Sequence, residues 1–196
     1  MSALPKKKLT EAEYLVIERA AEFRSEFYAG KMFAMAGTSH QHNEVKDNLI
    51  VELGSQLKGG SCRTYSSDMR VKVSRTGLYT YPDIVIVCGP PKFEDHTELD
   101  TLLNPQVVIE ILSKSTAGYD RGKKFLHYQR LASVMEYVLV SQDRMRVERL
   151  VRQPDETWVL TTFEDPTGEF SLATVPVRVP MAEIYRGVEP LEPPFQ

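Results

Sequence analysis

Val45, Leu49, Leu53 and Leu57 recur at every fourth position of the stretch GTSHQHNEVKDNLIVELGSQLKGG, with Ile50 beside them. That stripe predicts an amphipathic helix laying one apolar face on a sheet. Gly59-Gly60 ends it. A shorter helix is expected from Thr10 to Ala21, where Thr10 and Glu13 have the spacing of a capping box and Tyr14, Leu15 and Ile17 make one face. Between the two helices, Phe27–Tyr28 and Met32–Phe33 flank Ala29-Gly30, so Arg24 to Ala36 reads as a hairpin.

Downstream the period shortens. Cys62 to Tyr65 makes a short strand, and Met69, Val71 and Val73 alternate with Arg70, Lys72 and Ser74, the pattern of a half-buried strand. Ile84 to Cys88 and Val107 to Ile111 are unbroken apolar runs, as expected of central strands covered on both faces. The acidic, proline-bearing stretch GPPKFEDHTELDTLLNP between them reads as a loop. A helix follows from about Asp120 to Leu131, with Phe125, Leu126 and Tyr128 available for packing. Tyr137 to Val140 then opens a meander through RMRVERLV and Trp158 to Phe163, and the tail from Val175 holds a short helix near Met181 to Tyr185.

The succession implies an α/β (α+β) fold: a mixed central sheet flanked by helices, with an N-terminal hairpin and a C-terminal antiparallel meander. A chain of 196 residues fits one domain. Its expected parts are a helical segment over 1–24, a core over 25–150, and C-terminal strands and tail over 151–196.

Composition narrows the function classes. At 42% hydrophobic and 26% charged residues the chain builds its own core without metal or disulfide support. Cys62 and Cys88 form no CxxC and no Cys/His cluster, which excludes a zinc ribbon and suggests a reducing compartment. The N-terminus lacks an apolar signal core, and no apolar run is long enough to span a membrane, so a cytoplasmic protein is expected. A net charge of −3 argues against a non-specific nucleic-acid coat protein. A nuclease remains open, because it concentrates positive charge locally and a bound metal adds its own. Lys6-Lys7-Lys8 reads as a solvated tail.

The chemistry concentrates between Tyr81 and Tyr128. Asp83 follows Pro82 and leads into a buried strand, so its carboxylate is solvated, paired with backbone amides, or bound to metal. Glu110 sits inside VVIEIL, where an ionised carboxylate needs either a buried cation partner (Arg121, Lys123 or Lys124) or a metal. Asp120, Lys124 and Tyr128 follow one another at i, i+4 steps on one helix face. Lys124 therefore either makes a solvated pair with Asp120 or points back over the sheet edge, with Lys123 the weaker candidate. Two carboxylates plus a cation are the minimum for metal-assisted phosphodiester cleavage: Mg²⁺ prefers oxygen ligands, one of its waters becomes the nucleophile, and the ammonium stabilises growing negative charge. Asp68 and Glu44 are accessory candidates whose simpler roles are a turn residue and solvated helix surface. His40 and His42 lack a third partner at zinc-ligand spacing. GxSxG, HExxH, P-loop and GxGxxG motifs are absent.

The runs SSDMRVKV, YTYPDIVIVCG, NPQVVIEILSKST, YDRGKKFLHY and EYVLVSQDRMRVERL, in that order, resemble the bacterial family described as "putative restriction endonuclease" within the PD-(D/E)XK nuclease superfamily. The resemblance covers roughly Glu26 to Glu189. It implies a restriction-endonuclease-like fold, with Asp83 as the aspartate of the PD motif and Glu110 as the acid of the second motif. The superfamily's lysine position two residues on is Leu112, and the resemblance implies that Lys124, on the following helix, takes its role. It also implies that the backbone carbonyl of Ile111 completes a site for Mg²⁺ or Mn²⁺. DNA is the implied substrate, and a homodimer would supply two sites for two strands. The rival readings are a catalytically silent binding or assembly module on the same fold, and a metal-dependent hydrolase of smaller phosphoesters.

Overall fold

The computed structural model describes residues 8–35 and 37–189. Lys6, Lys7 and Ala36 lie outside them, as do the last prolines of the tail. Helix α1 (Glu11–Ala20) starts as expected: Thr10 Oγ1 accepts from the Glu13 N–H at 3.1 Å, and the Glu13 carboxylate accepts from the Thr10 N–H at 2.8 Å. Its Tyr14 is fully buried and stacks on Phe27. Strands β1 (Ser25–Tyr28) and β2 (Lys31–Ala34) form the hairpin, and both loop residues, Ala29 and Gly30, take positive φ. That conformation matches the right-handed twist of a two-residue loop.

Helix α2 (His40–Leu57) is the longest element, capped by Ser39 and burying Val45, Leu49, Leu53 and Leu57. Its stripe lies on the central sheet of β3 (Cys62–Ser66), β6 (Ile84–Cys88), β8 (Val107–Leu112), β9 (Glu136–Ser141), β10 (Val147–Arg152) and β11 (Trp158–Phe163). The spatial order is β11-β10-β9-β8-β6-β3, with β8 and β9 parallel and the other pairs antiparallel, so the sheet is mixed. The residues of β8 and β9 are all buried, and those of β6 are buried up to Cys88, as their unbroken apolar runs require. Strands β12 (Glu169–Ser171) and β13 (Arg178–Pro180) and the short α5 (Met181–Ile184) complete the layer beside α2.

The other face of the central sheet carries a second sheet that the periodicity did not separate. It joins the hairpin to β4 (Arg70–Val73), β5 (Leu78–Thr80) and β7 (Thr101–Leu102), in the order β2-β1-β5-β4-β7. Strand β7 lies inside the stretch read as a loop or excursion. The polar face expected for β4 is covered as well. Arg70 is buried, and donates to Thr101 Oγ1, the Tyr81 hydroxyl and Asp100.

The two cysteines also depart from expectation. The β3–β6 register sets Cys62 opposite Cys88, and the pair forms a disulfide. They therefore carry no argument for a reducing compartment. Among the described residues no helix is long and apolar enough to cross a membrane.

Candidate active site

The β6–β8 ladder builds the site. Its last pair is Ile84 opposite Ile109. One further step of the same register sets Asp83 opposite Glu110, and directly opposed residues of an antiparallel pair project to the same side. A single side-chain bond continues the ladder: the Ile111 N–H donates to Asp83 Oδ2 at 2.8 Å. Within a strand the N–H and C=O of one residue point to the same side, so the Ile111 carbonyl also points to the β6 side.

Asp83, Glu110 and Ile111 line a cleft of about 600 Å³ together with His42, Asp120 and Lys124. The helical segment over it consists of α3 (Ala117–Tyr119), a π-helical turn (Asp120–Lys124) and α4 (Phe125–Tyr128). It begins before the expected Asp120 and ends before Leu131. The wide turn sits at the residues that matter, as π-bulges often do. It buries both Asp120 and Lys124, and the Tyr137 hydroxyl anchors it by donating to the Asp120 carbonyl at 3.0 Å.

Lys124 Nζ lies 2.9 Å from Glu110 Oε1, 3.5 Å from Asp120 Oδ1 and 3.6 Å from Glu26 Oε1. The alternative of a solvated Asp120–Lys124 pair is thus not what forms, because both residues are buried. Lys123 is exposed and Arg121 pairs with Glu148, so neither serves Glu110. The Tyr128 hydroxyl donates to Glu110 Oε1 at 3.3 Å.

Glu26 has no counterpart among the expected site residues. It sits in an ordinary hairpin strand, SEFY, and only the packing of the second sheet brings it to Lys124. Its carboxylate accepts from Thr80 Oγ1 and, at 3.1 Å, from the Tyr119 hydroxyl. Asp68 and Glu44 are not brought to the cleft. The Asp68 side chain is 74% exposed and pairs with Arg24. Glu44 pairs with His40 at 3.2 Å and lies near Gly187.

The charges do not balance. Three carboxylates (Glu26, Glu110, Asp120) surround the Lys124 ammonium, and a fourth, Asp83, lies in the same cleft. Burial, the largest effect, pushes Glu110 well above the usual carboxylate range; Lys124 pulls it down, and Asp120 and Asp83 push it further up. Burial pulls the Lys124 ammonium down, but Glu110, Glu26 and Asp120 together outweigh it and hold its pKa well above the ordinary value. Lys124 therefore stays charged, and the excess negative charge falls on the acids. A divalent cation is the complement such a donor set fits: hard oxygen ligands, excess negative charge, and an open side. Among the described residues no three His, Cys, Asp or Glu side chains make a ready-made cage. The groups that could hold such an ion are the Asp83 and Glu110 carboxylates and the Ile111 carbonyl, a set that suits an ion keeping several waters.

A family model described as "Putative restriction endonuclease", Uma2, matches residues 11–182. The chain is 35% identical over 171 residues to the uncharacterized protein sll1609 of Synechocystis, covering 86% of this chain and 96% of that one. To the uncharacterized protein slr1290 of the same organism it is 29% identical over 184 residues, covering 94% and 95%. Among solved structures it resembles a putative nuclease belonging to DUF820 from Anabaena variabilis, with a TM-score of 0.72 at 18% identity, over 89% of this chain and 96% of that one. At that identity the likeness shows a shared fold.

Proposed function

The chain belongs to the Uma2 family, and we propose that it is a metal-dependent endonuclease hydrolysing DNA phosphodiester bonds. The observation that carries this reading is the meeting of Asp83, Glu110 and Lys124 in one cleft. Asp83, Glu110 and the Ile111 carbonyl hold Mg²⁺ or Mn²⁺. When bound, the ion supplies a water of lowered pKa and a positive charge beside the scissile phosphate.

The protein's own groups do the rest. Lys124 lies against Glu110 and stabilises the negative charge that grows on the phosphate oxygens. It needs no reorganisation to do so, because Glu110, Asp120 and Glu26 already hold it. The absence of a lysine at Leu112 is thereby compensated from the next helical segment. Leu112 is instead buried in the core. A homodimer supplies the second site that cutting both strands requires.

The test is nicking of supercoiled plasmid with and without Mg²⁺, by the wild type and by Asp83→Asn, Glu110→Gln and Lys124→Met. Metal-dependent nicking that each substitution removes or strongly reduces is expected. Equal nicking by all four proteins would assign the activity elsewhere, and none by a folded wild type would leave the binding-module reading.

A further inference from the structure

His42 has no part in the chemistry above, yet it is buried against it. Its side chain is 7% exposed, and Nε2 lies 3.2 Å from Asp83 Oδ2. We infer that His42 is a positioning residue, one that locks the Asp83 carboxylate in the orientation a cation needs. The inference rests on the metal-binding reading of the cleft.

Three observations carry it. Asp83 Oδ2 takes two contacts, the Ile111 N–H at 2.8 Å and His42 Nε2 at 3.2 Å. One hydrogen bond and one close polar contact on the same oxygen set the rotation of the carboxylate and leave Oδ1 for a ligand. Next, His42 Nδ1 is buried and has no partner. A proton there would be a buried N–H without an acceptor, so the ring proton belongs on Nε2, the nitrogen that faces Asp83 Oδ2 at 3.2 Å. Finally, the backbone that carries the ring is held. The His42 backbone N–H donates to its N-cap, Ser39 Oγ, at 3.1 Å, and Ser39 Oγ donates to Gln142 Oε1 at 2.9 Å. The start of α2 is thus tied to the residue just after β9.

The chain of contacts runs Gln142, Ser39, His42, Asp83, Ile111, and it joins four separate stretches of sequence. Seating α2 on the sheet does not need the His42 side chain: the stripe from Val45 to Leu57 already packs the helix there. Hydrogen bonds to a metal-ligating group fix its direction, and losing one typically costs 10–100-fold in metal affinity.

The experiment is calorimetric titration of Mn²⁺ into the full-length protein. Wild type is compared with His42→Leu, with His42→Asn, whose amide stops near the position of Nδ1 and cannot reach Asp83, and with His42→Gln, whose amide extends to the position of Nε2. Asp83→Asn is the control for the site. The expected result is Mn²⁺ affinity lowered about 10–100-fold in the Leu and Asn variants, largely restored in His42→Gln, and lost in Asp83→Asn. Having two loss variants keeps the test valid if one of them does not fold. Wild-type affinity in a folded His42→Leu or His42→Asn would overturn the inference, with the metal site intact. So would a His42→Gln as weak as the other two, since the loss would then come from packing. A wild type that binds no Mn²⁺, or binds it as Asp83→Asn does, would overturn the metal-site reading itself and this inference with it.

Discussion

Asp83 and Glu110 stand opposite one another one step beyond the last pair of the β6–β8 ladder, Ile84 with Ile109. Two acids 27 positions apart in the chain thus become neighbours through the register of two buried strands. A one-residue slip would turn Glu110 to the opposite, apolar layer of the sheet, so the acid itself distinguishes the two registers. The site inherits that definition.

Lys124 is the counter-ion of three acids, and removing it leaves two of them, Glu110 and Asp120, buried without a cation. Lys124→Met is expected to destabilise the metal-free protein by about 3–5 kcal/mol and to lower cleavage by roughly 10²–10³-fold. Urea unfolding with and without Mg²⁺ checks the first part. Added Mg²⁺ should recover part of the stability in the variant, because a cation replaces the lost charge.

Glu110 gives a pH dependence whose sign follows from its burial. Its carboxyl lies well above the usual carboxylate range in the folded protein. The folded state therefore holds a proton that the unfolded state has already released. Between the ordinary carboxylate pKa and the raised one, this group's contribution to stability falls as pH rises. A cation needs the ionised form, so Mg²⁺ binding should release a proton and tighten as pH rises. Calorimetry in buffers of different ionisation enthalpy measures that release; Glu110→Gln should abolish it.

Asp100 behaves in the opposite way. Burial alone would raise it, but hydrogen bonds from Arg19 and Thr101 and the nearby Arg70 outweigh burial and hold it at about 2. Its contribution is fully present above the ordinary carboxylate pKa and disappears as pH falls through about 2. With its side chain 28% exposed, solvent screening limits the effect, so Asp100→Asn should cost about 1 kcal/mol at neutral pH and almost nothing at pH 2. Denaturant midpoints at the two pH values separate these outcomes.

Leu49 is fully buried in the stripe that seats α2 on the central sheet. Leu49→Ala should cost about 2–5 kcal/mol without moving the cleft residues. Thermal unfolding should shift down while nicking per folded molecule stays near wild type. A selective loss of nicking with unchanged stability would mean that the helix has a role beyond holding Ser39 and His42 in place.

Much of this was legible in the chain itself. The four-residue spacing from Val45 to Leu57 located α2, and the capping residues Thr10 and Glu13 located the start of α1. Charges set in apolar text picked out Asp83 and Glu110, because an acid in a buried strand demands a partner. Glu26 was not legible: an acid in a short hairpin strand looks like solvated surface until a second sheet covers it. Asp120 read as a surface acid for the same reason, since helical spacing shows which residues share a face but not what that face meets. The polar side of β4 was misjudged because Arg70 finds its partners on two other segments, at Tyr81 and at Asp100-Thr101. The Cys62–Cys88 pairing depended on the β3–β6 register, which the intervals between cysteines do not contain.

The most direct test of the account is to locate Mn²⁺ by anomalous scattering in crystals of the protein soaked with it. The account expects a peak in the cleft at inner-sphere distance from Asp83, Glu110 and the Ile111 carbonyl oxygen, with Lys124 beside it, and no peak there in Asp83→Asn. Density that stays empty at saturating Mn²⁺, or an ion bound only away from these three ligands, would contradict it.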